Sequence, residues 1–218
     1  ITFARTDLEA GHPRITAFIV ERGPGVVVGG DAHTAGLRGS STASVWFDSA
    51  KVPFRNLLGE LGRGYLLAMR ILNWARVGHA AACVGIGKRI GKLATDRAVE
   101  RRAFGRPIGD FGQTKDAIAR IGCENYAMES MVFLTTGLMD IGVEDFILEA
   151  AICKVFASEN VAKNADLLCR IGGAHGYIDG HVYDRVLRDA RGHLVLAGTN
   201  EILRAFVALA GMQSPGRK

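Results

Sequence analysis

With 218 residues, 48% hydrophobic and 22% charged, the chain has the composition of a folded globular protein, which excludes a disordered or low-complexity chain. At about 100–200 residues per domain, that length allows one complete domain plus part of another. A net charge of +5 from scattered arginines excludes a nucleic-acid-binding basic tract, and the apolar run at residues 77–86 is too short for the ~20 residues of a membrane span.

The first 58 residues carry short β-rich runs between turn signals: ITFAR, ITAFIVE after Gly11-His12-Pro13, GVVVGG, and STASVWFDSAKV. Ile1 to Arg5 reads as a strand rather than a signal peptide, so the chain is expected to begin inside a domain. In the fourth run Val45 and Phe47 alternate with Trp46 and Asp48, the pattern of a strand with two unlike faces. A few strands do not close a core alone, so covering partners are expected from outside this stretch.

From Gly62 the period changes to three and four, through Leu66, Met69, Asn73, Arg76 and Val77. A long helix is predicted from about Tyr65 to Arg97, and its small residues Ala80, Ala81, Ala82, Gly85 and Gly87 would let a second helix approach closely. Further helices are predicted over Thr114 to Asp140 and Phe146 to Ile171, separated at Gly142, the latter stopping at Gly172-Gly173. A last helix starts near Thr199-Asn200-Glu201, with Thr199 as cap and Glu201 at the positive helix end, and presents Ile202, Leu203, Phe206, Leu209 and Ala210 as its apolar face. The predicted fold class is therefore an α+β fragment, mainly α: partial β-domain strands at 1–58, then a four-helix bundle at 59–218. Cys83, Cys123, Cys153 and Cys169 lack metal-ligand spacing and lie on apolar helical patterns, which predicts reduced, buried thiols, a reducing compartment and no metal.

Five ordered motifs go further than periodicity. AGLRGSSTASVWFDSAKVPFRNLLGELGRGY, ERRAFGRPIGDF, IGGAHGY, RVLRDAR and GTNEILR together resemble the acyl-CoA dehydrogenase family over essentially the whole chain. AMESMVFLTTGLMD and EILRAFVALAGMQ look most like its very-long-chain branch, which includes a relative that also serves as a respiratory complex I assembly factor. The resemblance implies an N-terminal helical domain and half of the β-domain missing from this stretch, and a further helical region after Lys218. It also implies FAD as cofactor, acyl-CoA as substrate, an electron-transfer flavoprotein as redox partner, and a homodimer or homotetramer. The location implied is the bacterial cytoplasm or the mitochondrial matrix, and nothing in this stretch indicates membrane association.

Residue by residue, Arg101 and Phe104 match the motif that reaches the FAD pyrophosphate of a neighbouring subunit, although an exposed arginine pair at a helix end would read alike without the motif. Gly172, Gly173 and Gly176 match a glycine loop that admits the cofactor, one residue longer here, or serve as a plain helix stop. Cys169 stands where relatives carry Gln, and Ala103 where a hydroxyl is frequent. Thr199 and Asn200 are placed near the flavin, Asn73 near CoA, Leu196 and Gly198 along the substrate, and Arg76 beside the active site, where it could instead form an interhelical salt bridge.

The dehydrogenation needs a base for the α proton and an acceptor for the β hydride. Most relatives carry a glutamate just before the Gly-Thr that here is Gly198-Thr199, and a second branch carries it just before the arginine matching Arg76; this chain has Ala197 and Ala75. Glu201 reads as a helix-start residue and His193 as a packing or surface histidine. An introduced Glu-to-Ala change, a subunit paired with a catalytic partner and a noncatalytic scaffold all leave this pattern.

Overall fold

A computed structural model describes residues 1–7 and 14–213, so the turn signal Gly11-His12-Pro13 lies outside the described residues. The chain divides into two compact units, Ile1–Thr34 with Arg38–Leu72, and Ala35–Leu37 with Asn73–Lys218.

In the first unit the strands are β1 (Thr2–Arg5), β2 (Ile15–Phe18), β3 (Val26–Asp31), β4 (Ala43–Phe47) and β5 (Leu57–Leu58). They form an antiparallel β1-β2-β5 sheet and a separate β3-β4 pair. The buried Thr16 hydroxyl anchors the small sheet: it accepts from the Gly62 amide at 2.9 Å and shares a 2.7 Å bond with Thr6. A Cβ at Gly64 would strike the Thr16–Ala17 backbone, so the start of the first helix lies directly on β2. The β4 expectation needs correction. Val45, Trp46 and Phe47 are all about half exposed, so both faces of the strand stand uncovered among the described residues, and alternation marks a strand here without choosing a buried side.

The second unit is helical: α1 (Gly64–Glu100, which begins in the first unit), a hairpin of β6 (Arg102–Ala103) and β7 (Arg106–Pro107), α2 (Gly112–Asp140), α3 (Ile147–Gly172), α4 (Val182–His193) and α5 (Asn200–Gln213). Its main core joins Ile90 of α1, Ile121 and Met128 of α2, Val161 and Leu168 of α3, and Ala190 of α4. Each fully buried Ile, Met, Val or Leu side chain among these contributes roughly 1.5–3 kcal/mol over its exposed state. The predicted close helix approach falls at Gly87, where any Cβ would collide with Asn125 and Met128 of α2, while Gly85 faces open space. Helix α2 ends as predicted at Gly142, whose φ of 83° lets the amides of Gly142 and Val143 turn back to the carbonyls of Met139 and Leu138.

Three features depart from the sequence reading. Helix α4 is a fifth helix, and its signal is present: Val182, Tyr183, Val186, Leu187 and Ala190 space at one helical face over only 12 residues. The expected apolar face of α5 is largely uncovered; Leu203 is buried against Ala151 and Val155, while Ile202 and Leu209 are exposed. Cys83 and Cys153 are buried and Cys169 partly so, but Cys123 is exposed. It lies two residues, about 200° of helix, past the buried Ile121, which turns it to the opposite side of α2.

Candidate functional site

Sequence-selected residues gather at two places in the helical unit. The first is a cleft of about 930 Å³ whose lining includes Arg97, Arg101, Phe104, Arg120, Arg170 and Gly173. Its floor is the end of α1 and its wall the end of α3. Arg170 is paired with Asp166 at 3.1 Å and Arg120 with Asp116 at 3.8 Å. Arg101, by contrast, has no side-chain partner among the described residues, and the Arg97 Nε is buried with none, although its Nη2 donates to the Gly172 carbonyl at 3.4 Å. A buried guanidinium nitrogen without an acceptor is costly, and an anionic ligand is what such a donor set satisfies.

The β6–β7 hairpin beside the cleft turns through Phe104 (φ 52°) and Gly105 (φ 80°), both left-handed, as a two-residue turn between twisted strands requires. A left-handed phenylalanine costs about 1–2 kcal/mol. Its ring is 95% exposed and meets only the edge of Phe111, at 6.1 Å between centroids, while Arg106 stacks 4.2 Å over Phe111. The turn thus holds the Phe104 ring out from the hairpin with most of its surface uncovered.

The glycine loop separates into two roles. Cβ atoms at Gly172 and Gly176 would strike the Tyr183 ring and the Cys169 carbonyl, so both are required by the chain's own packing. Gly173, at φ 61°, has nothing within 4 Å of its Cβ position and leaves its backbone open to the cleft. Cys169 lies outside the lining; its Sγ is 3.5 Å from the Tyr183 carbonyl, and burial raises its thiol.

The second place is the turn from α4 to α5. Here Ala197 (φ 59°) and Gly198 (φ 102°) are successive left-handed residues, and their carbonyls point inward to cations. Arg76 Nε donates to the Ala197 carbonyl at 3.2 Å and its Nη1 to Asn73 Oδ1 at 2.8 Å. No carboxylate pairs with Arg76 among the described residues, so the salt-bridge alternative is not realised; burial lowers its pKa. Lys154, which sequence reasoning missed, is fully buried and donates to the carbonyls of Leu194 (3.3 Å) and Gly198 (2.8 Å) and to Asn200 Oδ1 (2.7 Å). Burial pushes its ammonium down to about 8, and three acceptors keep it protonated at neutral pH. Asn200 is thereby occupied, since its Nδ2 also donates to Ser158 at 3.0 Å. Thr199 Oγ1 receives the Ile202 amide at a long 3.5 Å, a weak form of the predicted cap.

His193 is buried and packs edge-on against His79 at 5.6 Å, with its Nδ1 unpartnered. Burial first, then mutual and Lys154 charge for His193, and Lys154 charge for His79, lower both imidazoles, which are neutral near pH 7. Leu196 is exposed, and Glu201 is exposed in the first turn of α5. The cluster thus holds two cations, two neutral imidazoles and no carboxylate at position 197 or 75. Of its members, Lys154 had only its place in an otherwise apolar stretch of α3 as a sequence signal.

Comparison with known proteins agrees with this architecture. Residues 62–212 match the family model described as acyl-CoA dehydrogenase, C-terminal domain. A very long-chain specific acyl-CoA dehydrogenase, mitochondrial, of Bos taurus is 43% identical over 98% of this chain, which covers 33% of that protein. Among solved structures, the butyryl-CoA dehydrogenase of Megasphaera elsdenii superposes with a TM-score of 0.91 at 32% identity, over 96% of this chain and 55% of that one. An acyl-CoA dehydrogenase of Bacillus anthracis complexed with FAD gives 0.90 at 30% identity, over 100% and 40%. The chain therefore spans about a third of the first of these relatives and about half of the second.

Proposed function

The chain belongs to the acyl-CoA dehydrogenase family, and from that premise we propose that it is the end of the central β-domain (1–58) and the C-terminal helical domain (59–218) of an FAD-dependent acyl-CoA dehydrogenase whose base position is vacated at Ala197. The observation that carries this reading is the arginine cleft. The orphaned Arg97 Nε, the unpaired Arg101 and the open backbone at Gly173 fit a pyrophosphate, the anionic centre of FAD. In this reading Arg101 and Arg97 meet the phosphates, Phe104 covers the adenosine end across a subunit contact, and Gly172 and Gly173 bring backbone alongside. Cys169, bonded inward, leaves unmade the contact that a glutamine would supply. Bound FAD would supply the hydride acceptor for the β carbon.

The chain's own residues bind and orient the thioester. Leu196 and Gly198 lie on the substrate side of the turn and Asn73 toward CoA. Arg76 keeps positive charge beside position 197, which favours negative charge developing at the α carbon. Thr199 faces the flavin, and Asn200 contributes its backbone, its side chain being held by Lys154 and Ser158. The methyl of Ala197 takes no proton, so abstraction at the α carbon should run roughly 10²–10⁴ slower than with a carboxylate there. Exposed Tyr126, Phe133 and Leu134 on α2, with Ile202, Leu209 and Met212 on α5, support assembly into a homodimer or homotetramer. An electron-transfer flavoprotein would reoxidise the cofactor.

The absence of a carboxylate at both 197 and 75 favours one second reading, a noncatalytic scaffold or partner subunit that retains the fold. Dye-coupled oxidation of octanoyl- and hexadecanoyl-CoA by the full-length protein, with its visible flavin band recorded, separates the two. Slow turnover with flavin present supports the enzyme reading, and flavin with no turnover above buffer supports the scaffold. Absence of both flavin and acyl-CoA binding contradicts the enzyme reading and leaves the scaffold.

A further inference from the structure

The α4–α5 turn has no regular secondary structure, yet it carries two left-handed residues in succession and three inward carbonyls, at Leu194, Ala197 and Gly198. Something outside the turn must hold it. Its backbone supplies one closing bond across this span, from the Asn200 amide to the Leu194 carbonyl at 3.1 Å. The Val195 and Leu196 amides continue α4 by bonding the Gly192 carbonyl, whereas the three inward carbonyls are met by side chains on α1 and α3, two of them by one atom, Lys154 Nζ. That nitrogen touches the last carbonyl region of α4, the middle of the turn and the first residue of α5 at once. Ser158, one helical turn further along α3, completes the clamp by binding the same Asn200. Lys154 is wholly buried, so no water stands ready to replace its three donors.

We propose that Lys154 is a positioning residue: its ammonium fastens the α4–α5 turn in the carbonyl-inward, left-handed form that presents Ala197, Gly198 and Thr199 to the acyl thioester and flavin. The presentation to ligand rests on the function proposed above; the fastening does not. Lysine suits the task where methionine, of similar length, would not, because three acceptors from three segments need three donors on one atom. Arg76 supports the same turn through the Ala197 carbonyl from the side of α1.

The test uses the full-length protein with Lys154→Met, beside Ile121→Val, a core truncation in α2 far from the turn in sequence and without contact to it. Hydrogen exchange is followed by mass spectrometry on peptides covering 194–203, and acyl-CoA affinity by perturbation of the flavin spectrum with octanoyl- and hexadecanoyl-CoA. Loss of charge-assisted bonds predicts exchange at 194–203 faster by about 10–100-fold in Lys154→Met and acyl-CoA affinity weaker by about tenfold or more, with FAD content kept. Ile121→Val should change neither selectively. Exchange at 194–203 that stays slow, or that rises only in step with every other helix, overturns the proposal. Should Lys154→Met fail to fold, Asn200→Ala removes one acceptor of the same clamp: selective speeding at 194–203 supports the proposal and its absence overturns it. If acyl-CoA leaves the flavin of the unmodified protein unperturbed, the function reading fails, and the exchange result alone still decides whether Lys154 fastens the turn.

Discussion

Both ends of the helical unit concentrate positive charge, yet they treat it in opposite ways. At the α4–α5 turn, the donors of Lys154 all find protein acceptors, and Arg76 binds the Ala197 carbonyl and Asn73. At the cleft, the exposed Arg101 has no side-chain partner among the described residues, and the Arg97 Nε is buried without one. Equal charge thus meets two surroundings: donors matched by the fold shape the backbone, and donors left open by it are the ones that the proposed function assigns to an anion. Net charge alone, at +5, would have distinguished neither from a solvated surface.

The largest effect expected lies at the turn. Ala197→Glu in the full-length protein should raise dye-coupled acyl-CoA oxidation by roughly 10²–10⁴, with FAD content unchanged, whereas Glu201→Gln should change it far less. Rapid turnover by the unmodified protein that Glu201→Gln abolishes would make Glu201 the base. The glycines sharpen the contrast at the cleft. Gly176→Ala must displace the Cys169 carbonyl and should destabilise by about 1–3 kcal/mol or more in urea titration. Gly173→Ala meets no atom, but its φ of 61° and ψ of −133° lie in a region that only glycine adopts readily, so its loss of about 1–3 kcal/mol comes from the backbone alone. Gly173→Ala costing clearly more than Gly176→Ala would show that Gly173 is also held by packing.

The smallest effect is a pH dependence. Burial brings the Lys154 ammonium from its ordinary 10.5 down to about 8. Between those values the unfolded chain still binds the proton that the folded chain has released, so this group's contribution to stability rises with pH across that window and is least favourable below it. The Cys83 thiol, raised by burial from 9.0 to about 12, acts in the other direction, because the unfolded chain loses its proton first. Urea midpoints of the unmodified protein and Lys154→Met should therefore converge or diverge with pH between about 8 and 10 in favour of lysine, isolating its share. Parallel curves would place the lysine pKa near its ordinary value.

Much of the fold is legible in the sequence because period and punctuation agree: the three long helices begin and end within a few residues of their predicted limits, and Gly142 and Gly173 both take the positive φ that a helix stop requires. Helix α4 is short, and its motif RVLRDAR drew attention as a family mark rather than as one helical face. The cleft was half visible, since Arg101, Phe104, Gly172 and Gly173 converge there, but Arg97 lies on an unremarkable turn of α1. Lys154 stands in an apolar stretch, but its role is not legible there because two of its three acceptors are backbone carbonyls about 40 residues away, and backbone carbonyls have no letter in a sequence.

The contrast between matched and open arginines is tested most directly by titrating FAD into the flavin-free full-length protein and comparing Arg101→Ala with Arg204→Ala, whose arginine is already bonded to Glu159. Loss of an open, charge-assisted phosphate contact predicts FAD affinity weaker by about 10–100-fold for Arg101→Ala and unchanged for Arg204→Ala. Equal affinity in all three proteins, or no FAD binding by any of them, would contradict the assignment of the cleft to the cofactor.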